Sequence, residues 1–578
     1  MDMVFFLLMK LTENIQKGCF MTKECKLITY LSERDVGEDI HIVKEININD
    51  DGTITDEIKI IKDFKRPFWV TKPAFRTYND KKETEDLRKL DKFTSTQSKL
   101  YKNIAMRLGE RYIGTWDPRI LKGSPYLYGS DVDSRTILKH MYNKKYGEPK
   151  SPYRVGVFDI ETNILTNEII IISIMTAHEC RLVVLKKYAD RIPRLKERML
   201  SALENNIPTV AYVKDGPHKD YDKIRDGILS NFHIEILDTQ IDLIKYIFKH
   251  ANYMNIDFLT GWNIKYDLTE IIERIEDAGL EAKDIFHYDK IPSKYAYFNF
   301  KEGRSKKITE AGREIPLPPE EIWSFTTSTT NYYFIDAMNT HRYVRVGGAT
   351  VPGGYSLDNI LKVEGVVGKL KFDSNQGFKG AEWHIYMVEK KPLEYLVYNI
   401  WDCMSILAMG AKTKDLSISV PLLSGISHFD VFNSGPKKLV DSIFFFFYNE
   451  DKILGVKDPR EDNNKILGLD GWVITLSAFM VEDNGLRLAK ETNQLQSNIR
   501  THTSDLDVTS AYPSATCAAN VSKDTTHREL VKISNMTKEE FMIHNINIMF
   551  SNTNSLEYAQ QMFKLPSLYK VIENVRHT

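Results

Sequence analysis

An apolar run that ends in two carboxylates one residue apart, Val155-Gly-Val-Phe-Asp-Ile-Glu-Thr162, constrains this 578-residue chain more than any other segment. In a strand, alternate side chains share a face, so Asp159 and Glu161 point into one site. Around it the pattern reads as three strands, Tyr153–Glu161, Ile169–Thr176 and Arg181–Leu185. Segment 236–250 has helical spacing, and Asp257–Trp262 is again a strand. Leu268, Ile271, Ile272, Ile275 and Ala278 then recur as an amphipathic helix closed by Gly279.

Strands first and helices behind them predict a ribonuclease-H-like α/β domain at 151–410. Ahead of it, residues 25–75 alternate in short apolar pieces, Cys25–Tyr30 and Ile40–Val43, with Asn49-Asp-Asp-Gly52 as a turn. A charged helical stretch is expected around 82–109. The Lys144–Pro152 segment reads as a linker, which ends a mixed first domain near 150. Segment 411–470 reads as a connection packing on that domain, and 471–578 begins another α/β region. The chain is thus expected to be a multidomain α/β protein. The opening Met3–Met9 apolar run is too short to span a bilayer, and Met21 reads as a start that would make residues 1–20 non-native.

Composition excludes little. With 42% hydrophobic and 27% charged residues the chain is ordinary for a soluble protein. A net charge of −1 gives no global nucleic-acid signal, though an enzyme needs only a locally basic cleft. Cys19, Cys25, Cys180, Cys403 and Cys517 show no Cys-x-x-Cys spacing, which suits a reducing compartment without zinc or disulfides.

Two further signals follow the strand pair in order, Gly261-Trp-Asn-Ile-Lys-Tyr-Asp267 and Tyr398-Asn-Ile-Trp-Asp402. Tyr398 and Asp402 are four apart in an apolar helical pattern whose first turn suits Pro392, so phenol and carboxylate project together. Carboxylates are hard ligands for Mg²⁺ or Mn²⁺, and two such ions about 4 Å apart supply a nucleophile and stabilise a leaving oxygen in phosphodiester cleavage. A last element, Asp507-Val-Thr-Ser-Ala-Tyr-Pro-Ser514, lies near the end of the sequence.

In this order the segments resemble a family B DNA polymerase of large tailed phages. The resemblance runs from about residue 25 onward and is strongest at 155–162, 259–267, 395–405 and 505–526. It implies a DEDDy-type 3′→5′ proofreading exonuclease in which Asp159 bridges two metals. Glu161 and Asp402 complete one metal site, Asp267 supports the other, and Tyr398 orients the attacking water. Asn263 is implied to contact the terminal nucleotide. The second motif departs from the family's usual pattern, with three residues rather than four between Asn263 and Asp267.

Asp507 and its neighbours resemble the first palm motif, D-x-x-S-L-Y-P-S, with Ala511 in place of Leu. Asp507 is then a ligand of the two polymerase metals, Val508, Ser510 and Ala511 cradle the incoming dNTP, and Tyr512 packs under its sugar. The fingers Lys and the palm Asp-Thr-Asp-Ser hairpin have no good counterpart. Asn554–Tyr558 imitates the former, and Tyr128-Gly-Ser-Asp-Val-Asp-Ser134 precedes the exonuclease motifs, so Asp131 and Asp133 are read as structural. The implied protein is the N-terminal subunit of a split replicative polymerase in the cytoplasm of a host cell. Its implied partners are primer-template and single-stranded DNA, a sliding clamp, and a second chain docking near Phe541–Phe550 and Met562–Leu568. An autonomous exonuclease with a vestigial palm and a non-catalytic DNA-positioning subunit are the rival readings. Tyr295–Pro319 is expected to form a hairpin that helps move the primer, and Gly347–Gly354 a loop before a helix capped by Ser356.

Overall fold

A computed structural model describes the chain from Thr22 to Asp415, apart from 50–52, 80, 111–117, 148, 150, 214–218, 309–313, 318, 320–321, 346–350 and 373–376. Beyond Asp415 it describes 444–445, 447–456, 487–488, 495–496 and 518. The chain divides into two compact units, Met1–Pro459 and Arg460–Thr578. Both hold α and β structure or β structure alone in their described parts, and among the described residues no helix is long and apolar enough to cross a membrane.

In the first unit, β1 (Thr22–Leu31), β2 (Ile40–Ile48) and β3 (Ile54–Lys62) form an antiparallel sheet in that order. Helix α1 (Ser134–Tyr146) covers it, with Leu138 and Tyr142 packed among Cys25, Ile28 and Val43. Asp133 caps α1 by accepting the Arg135 N–H, which is a structural role. Next, β4 (Arg66–Thr71) lies between β6 (Leu90–Ser95) and β7 (Leu127–Tyr128), while β5 (Thr84–Asp86) pairs with β18 (Lys452–Leu454). The helix expected over 82–109 is therefore confined to Leu100–Leu108. Leu87, Leu90 and Phe93 have helical spacing, but pairing of 90–95 with β4 overrides that local preference.

The central sheet has the order β11-β10-β9-β8-β12-β17. Its strands are β8 (Val155–Asn163), β9 (Glu168–Met175), β10 (Cys180–Leu185), β11 (Phe232–Leu237), β12 (Phe258–Gly261) and β17 (Tyr333–Asp336). β8, β9 and β10 run antiparallel, β11 is parallel to β10, and β12 and β17 are parallel to β8. The isoleucines at 169–172 and 174 are wholly buried, as β-branched residues in a strand covered on both faces should be. Segment 236–250 begins in β11 and becomes helix α2 only at Gln240–Ala251, where Thr239 caps it. On that side Phe158 packs edge-on against Phe248 and Phe334.

Further helices surround the sheet. They include α3 (Ile264–Asp277), α4 (Ala337–Val344), α5 (Leu357–Val363), α6 (Ala381–Lys390) and α7 (Pro392–Thr413). Leu268, Ile271 and Ile275 of α3 are buried as the spacing predicts, and Ser356 caps α5. Pro392 occupies the first turn of α7, where its missing N–H leaves no helical bond unmade. From Tyr395 to Met409 every residue of α7 is buried, the pattern of a helix enclosed by its neighbours. Contact between Ser173 Oγ on β9 and Cys403 Sγ at 3.2 Å seats it on the sheet face opposite α2. Cys25, Cys180 and Cys403 are free thiols.

Between β12 and β17, β13 (Phe298–Lys301) pairs with β16 (Phe325–Ser328), and β14 (Lys306–Ile308) with β15 (Glu314–Pro316). The expected hairpin is present. Phe298 stacks on Phe286 at 4.4 Å, while Arg304 and Lys306 are exposed. A buried ion cluster joins the first sheet to the central one. Lys44 Nζ lies 3.1 Å from Asp56 and 3.0 Å from Asp257, and Arg154 reaches both acids at 3.0 and 2.8 Å. Burial alone would raise the Asp257 carboxyl, but Lys44 and Arg154 outweigh it and hold it down at about 2.

In the second unit, β19 (Arg487–Leu488) pairs antiparallel with β20 (Leu495–Gln496). Asp507, Val508, Ser510, Ala511 and Tyr512, and the expected partner contacts from Phe541 to Leu568, lie outside the described residues.

Candidate metal centre

Two adjacent elements build the site. β8 is an interior strand whose alternation places Asp159 and Glu161 on the face covered by α7. From α7, residues spaced i, i+3, i+4 and i+7 project a polar stripe out of an otherwise apolar helix: Tyr395, Tyr398, Asn399 and Asp402. Strand and helix bring carboxylate oxygens of Asp159, Glu161 and Asp402 within 4.8 Å of one another. Glu161 and Asp402 are buried and Asp159 is half-buried.

Asp267, the fourth expected ligand, stands on the first turn of α3, buried, beside this trio but not within it. Its Oδ2 lies only 3.0 Å from where a Cβ on Gly261 would sit, so the glycine leaves room for the carboxylate. Asn263 is exposed at the start of α3, and its side chain caps nothing. Asp336 lies at the end of the parallel neighbour β17. Its carboxylate accepts the Asn339 N–H at 2.8 Å to start α4, and the amide of Ile264 at the start of α3 helps hold its charge.

The electrostatics are those of crowded acids. Burial and then the Asp402 charge raise the Asp159 carboxyl to about 8. Glu161 is pushed well up by burial and by Asp159, and Asp267 likewise by burial, Asp159 and Asp336. Burial also raises Asp402, against the pull of Lys369. Negative charge that close together in a low-dielectric setting calls for a cation.

Lys369 is one such cation. Its Nζ lies 2.5 Å from Asp402 Oδ2 and donates to Tyr398 OH at 2.8 Å. Burial alone would favour losing its proton, but Asp402, Tyr398 and Asp159 keep it charged well above the ordinary lysine range. Tyr398 is further fixed by Trp383, with ring centroids 4.9 Å apart.

One ammonium does not satisfy the whole cluster. Asp402 Oδ1 is buried and has no hydrogen-bond partner among the described residues, an orphaned acceptor of the kind a metal ion completes. An all-carboxylate donor set suits a hard dication such as Mg²⁺ or Mn²⁺.

Of the residues expected from sequence, the structure brings Asp159, Glu161, Tyr398 and Asp402 together, and it places Asp267, expected as a fourth ligand, beside them. The sequence reading missed Lys369, Tyr395, His384, Asn399 and Asp336. Extending the polar stripe at helical spacing by one turn finds Tyr395, and Asn399 lies within the Tyr398–Asp402 segment itself. Lys369 lies in a non-helical segment with no periodic signal. Compared with known proteins, the chain matches no family model and no curated protein sequence.

Proposed function

We propose that this chain is a divalent-metal-dependent 3′→5′ DNA exonuclease forming part of a phage family B DNA polymerase. The observation that carries the reading is the convergence of the β8 and α7 carboxylates within 4.8 Å beside buried Asp267, in motif order. The sheet supports a ribonuclease-H-like assignment: three antiparallel strands, with two more added parallel to the first, and helices on both faces.

In this reading Asp159, Glu161 and Asp402, with Asp267, would hold Mg²⁺ or Mn²⁺. The ions would supply a hydroxide-like nucleophile and neutralise charge on the phosphodiester. Tyr398 orients the attacking water, and Lys369 holds the phenol in place while balancing Asp402. Asn263 and Tyr266, both exposed at the start of α3, face an incoming strand. The polymerase half of the proposal rests on the Asp507 motif alone, with Val508, Ser510, Ala511 and Tyr512 as dNTP contacts. Nucleotidyl transfer then also requires a polypeptide bearing the second palm motif.

The test is digestion of a 5′-labelled single strand with Mg²⁺ or Mn²⁺. Shortening from the 3′ end should fall to background in Asp159→Ala protein and weaken in Tyr398→Phe. Undiminished digestion by Asp159→Ala protein would refute the assignment.

A further inference from the structure

Behind the strand carboxylates lies a set of hydrogen bonds that the proposed reaction does not itself require. Asn399 Nδ2 donates to Asp159 Oδ2 at 2.7 Å, and Tyr395 OH donates to Glu161 Oε2. Asn399 is wholly buried, as is Tyr395. On the far side of the phenol, His384 Nδ1 lies 2.8 Å from Tyr395 OH. A phenol has one proton to give. When a bound cation keeps Glu161 ionised, that proton goes to the carboxylate and His384 donates from Nδ1 to the phenol oxygen. The result is a directed chain from α6 through α7 to β8. Tyr395 is held sideways by stacking on Tyr398 at 5.9 Å and by Trp383 at 6.2 Å.

We infer that Tyr395 and Asn399 are positioning residues that aim Glu161 and Asp159, respectively, at a shared divalent cation. Each carboxylate uses one oxygen toward α7, which fixes its rotamer and directs the other oxygen to the cluster. The two residues are one helical turn apart and each serves one of the two strand acids, so a single buried helix face sets the geometry of the strand pair. Partners that orient ligands in this way commonly contribute 10- to 100-fold, as an order of magnitude, to metal affinity. The inference rests on reading Asp159, Glu161 and Asp402 as a cation site.

The experiment is isothermal titration of the full chain with MnCl₂ alone, in wild-type, Tyr395→Phe, Asn399→Leu and Asp402→Asn proteins, with far-UV circular dichroism confirming the fold. Tyr395→Phe keeps the ring and its stacking and removes only the hydroxyl, so it separates positioning from packing. Mn²⁺ affinity is expected to fall roughly 10-fold in Tyr395→Phe and in Asn399→Leu. DNA cleavage by Tyr395→Phe should be restored toward wild type by raised Mn²⁺. Mn²⁺ affinity within about twofold of wild type in both variants, with loss in Asp402→Asn, would overturn the positioning role and leave the cation site standing. A wild-type chain that does not take up Mn²⁺ would overturn both.

Discussion

Replacing Asp159 by Asn removes a charge while keeping the side chain's shape, and in metal-free protein this is expected to stabilise the fold. Burial, then Asp402, lifts the Asp159 carboxyl from an ordinary 3.8 to about 8, against Lys369 and Asn399. A carboxyl whose pKa rises on folding binds its proton more tightly in the native state. The stability it contributes is complete below 3.8 and is lost as pH climbs toward 8. At about 1.4 kcal/mol per pH unit, the loss by pH 7 is on the order of 4 kcal/mol for one such group. Asp159 titrates together with its neighbours, so the measurable quantity is the difference between wild type and Asp159→Asn as a function of pH. In EDTA the variant should melt several degrees above wild type near neutral pH and converge with it near pH 4. Added Mg²⁺ should narrow the gap. A site filled at 100-fold over its Kd gains about 2.7 kcal/mol, which the variant cannot match. Scanning calorimetry across pH, with and without Mg²⁺, measures both effects. A variant no more stable than wild type in EDTA, or an equal Mg²⁺ response in both proteins, would refute the reasoning.

Two other perturbations follow from the same geometry. Gly261→Ala puts a methyl 3.0 Å from Asp267 Oδ2, so Asp267 must shift by a few tenths of an ångström. Cleavage should fall roughly 10-fold with little change in melting temperature, and full activity in this variant would separate Asp267 from the reaction. Lys44→Met leaves Asp56 and Asp257 with Arg154 alone and removes donors to the carbonyls of Ile256 and Asn331. Breaking a buried pair costs about 3–5 kcal/mol, and the retained Arg154 should bring this to about 2–3 kcal/mol in a denaturant midpoint. Asp257 is depressed, so its stabilisation is present above 3.8 and lost toward about 2. Acid unfolding of the variant should begin at higher pH, and an unchanged acid transition would contradict this.

The parts legible in sequence were those in which one periodicity carried both burial and chemistry. Asp159 and Glu161 share a face because strand alternation is rigid, and Tyr398 with Asp402 because i and i+4 stack on a helix. Segment 90–95 was misread because its apolar spacing fits a helix, while its strand character comes from β4, more than twenty residues earlier. β11 was likewise obscured, since its alternating Phe232–Leu237 runs directly into the α2 pattern. Lys369 had no local signature at all. Its role exists only because the segment after α5 passes over α7, a relation that no window of adjacent residues contains.

Asp336 links the start of α3 electrostatically to a strand outside its own turn. A helix capped by its own preceding residue inherits any insertion or deletion in that turn as a rotation of everything downstream, about 100° per residue. Here the carboxylate whose charge the Ile264 amide favours sits on a different strand, one whose place is fixed by pairing with β12 along its whole length. The direction in which Asp267 leaves the backbone is thus referred to the sheet twice, through the turn after Gly261 and through the carboxylate at the end of β17.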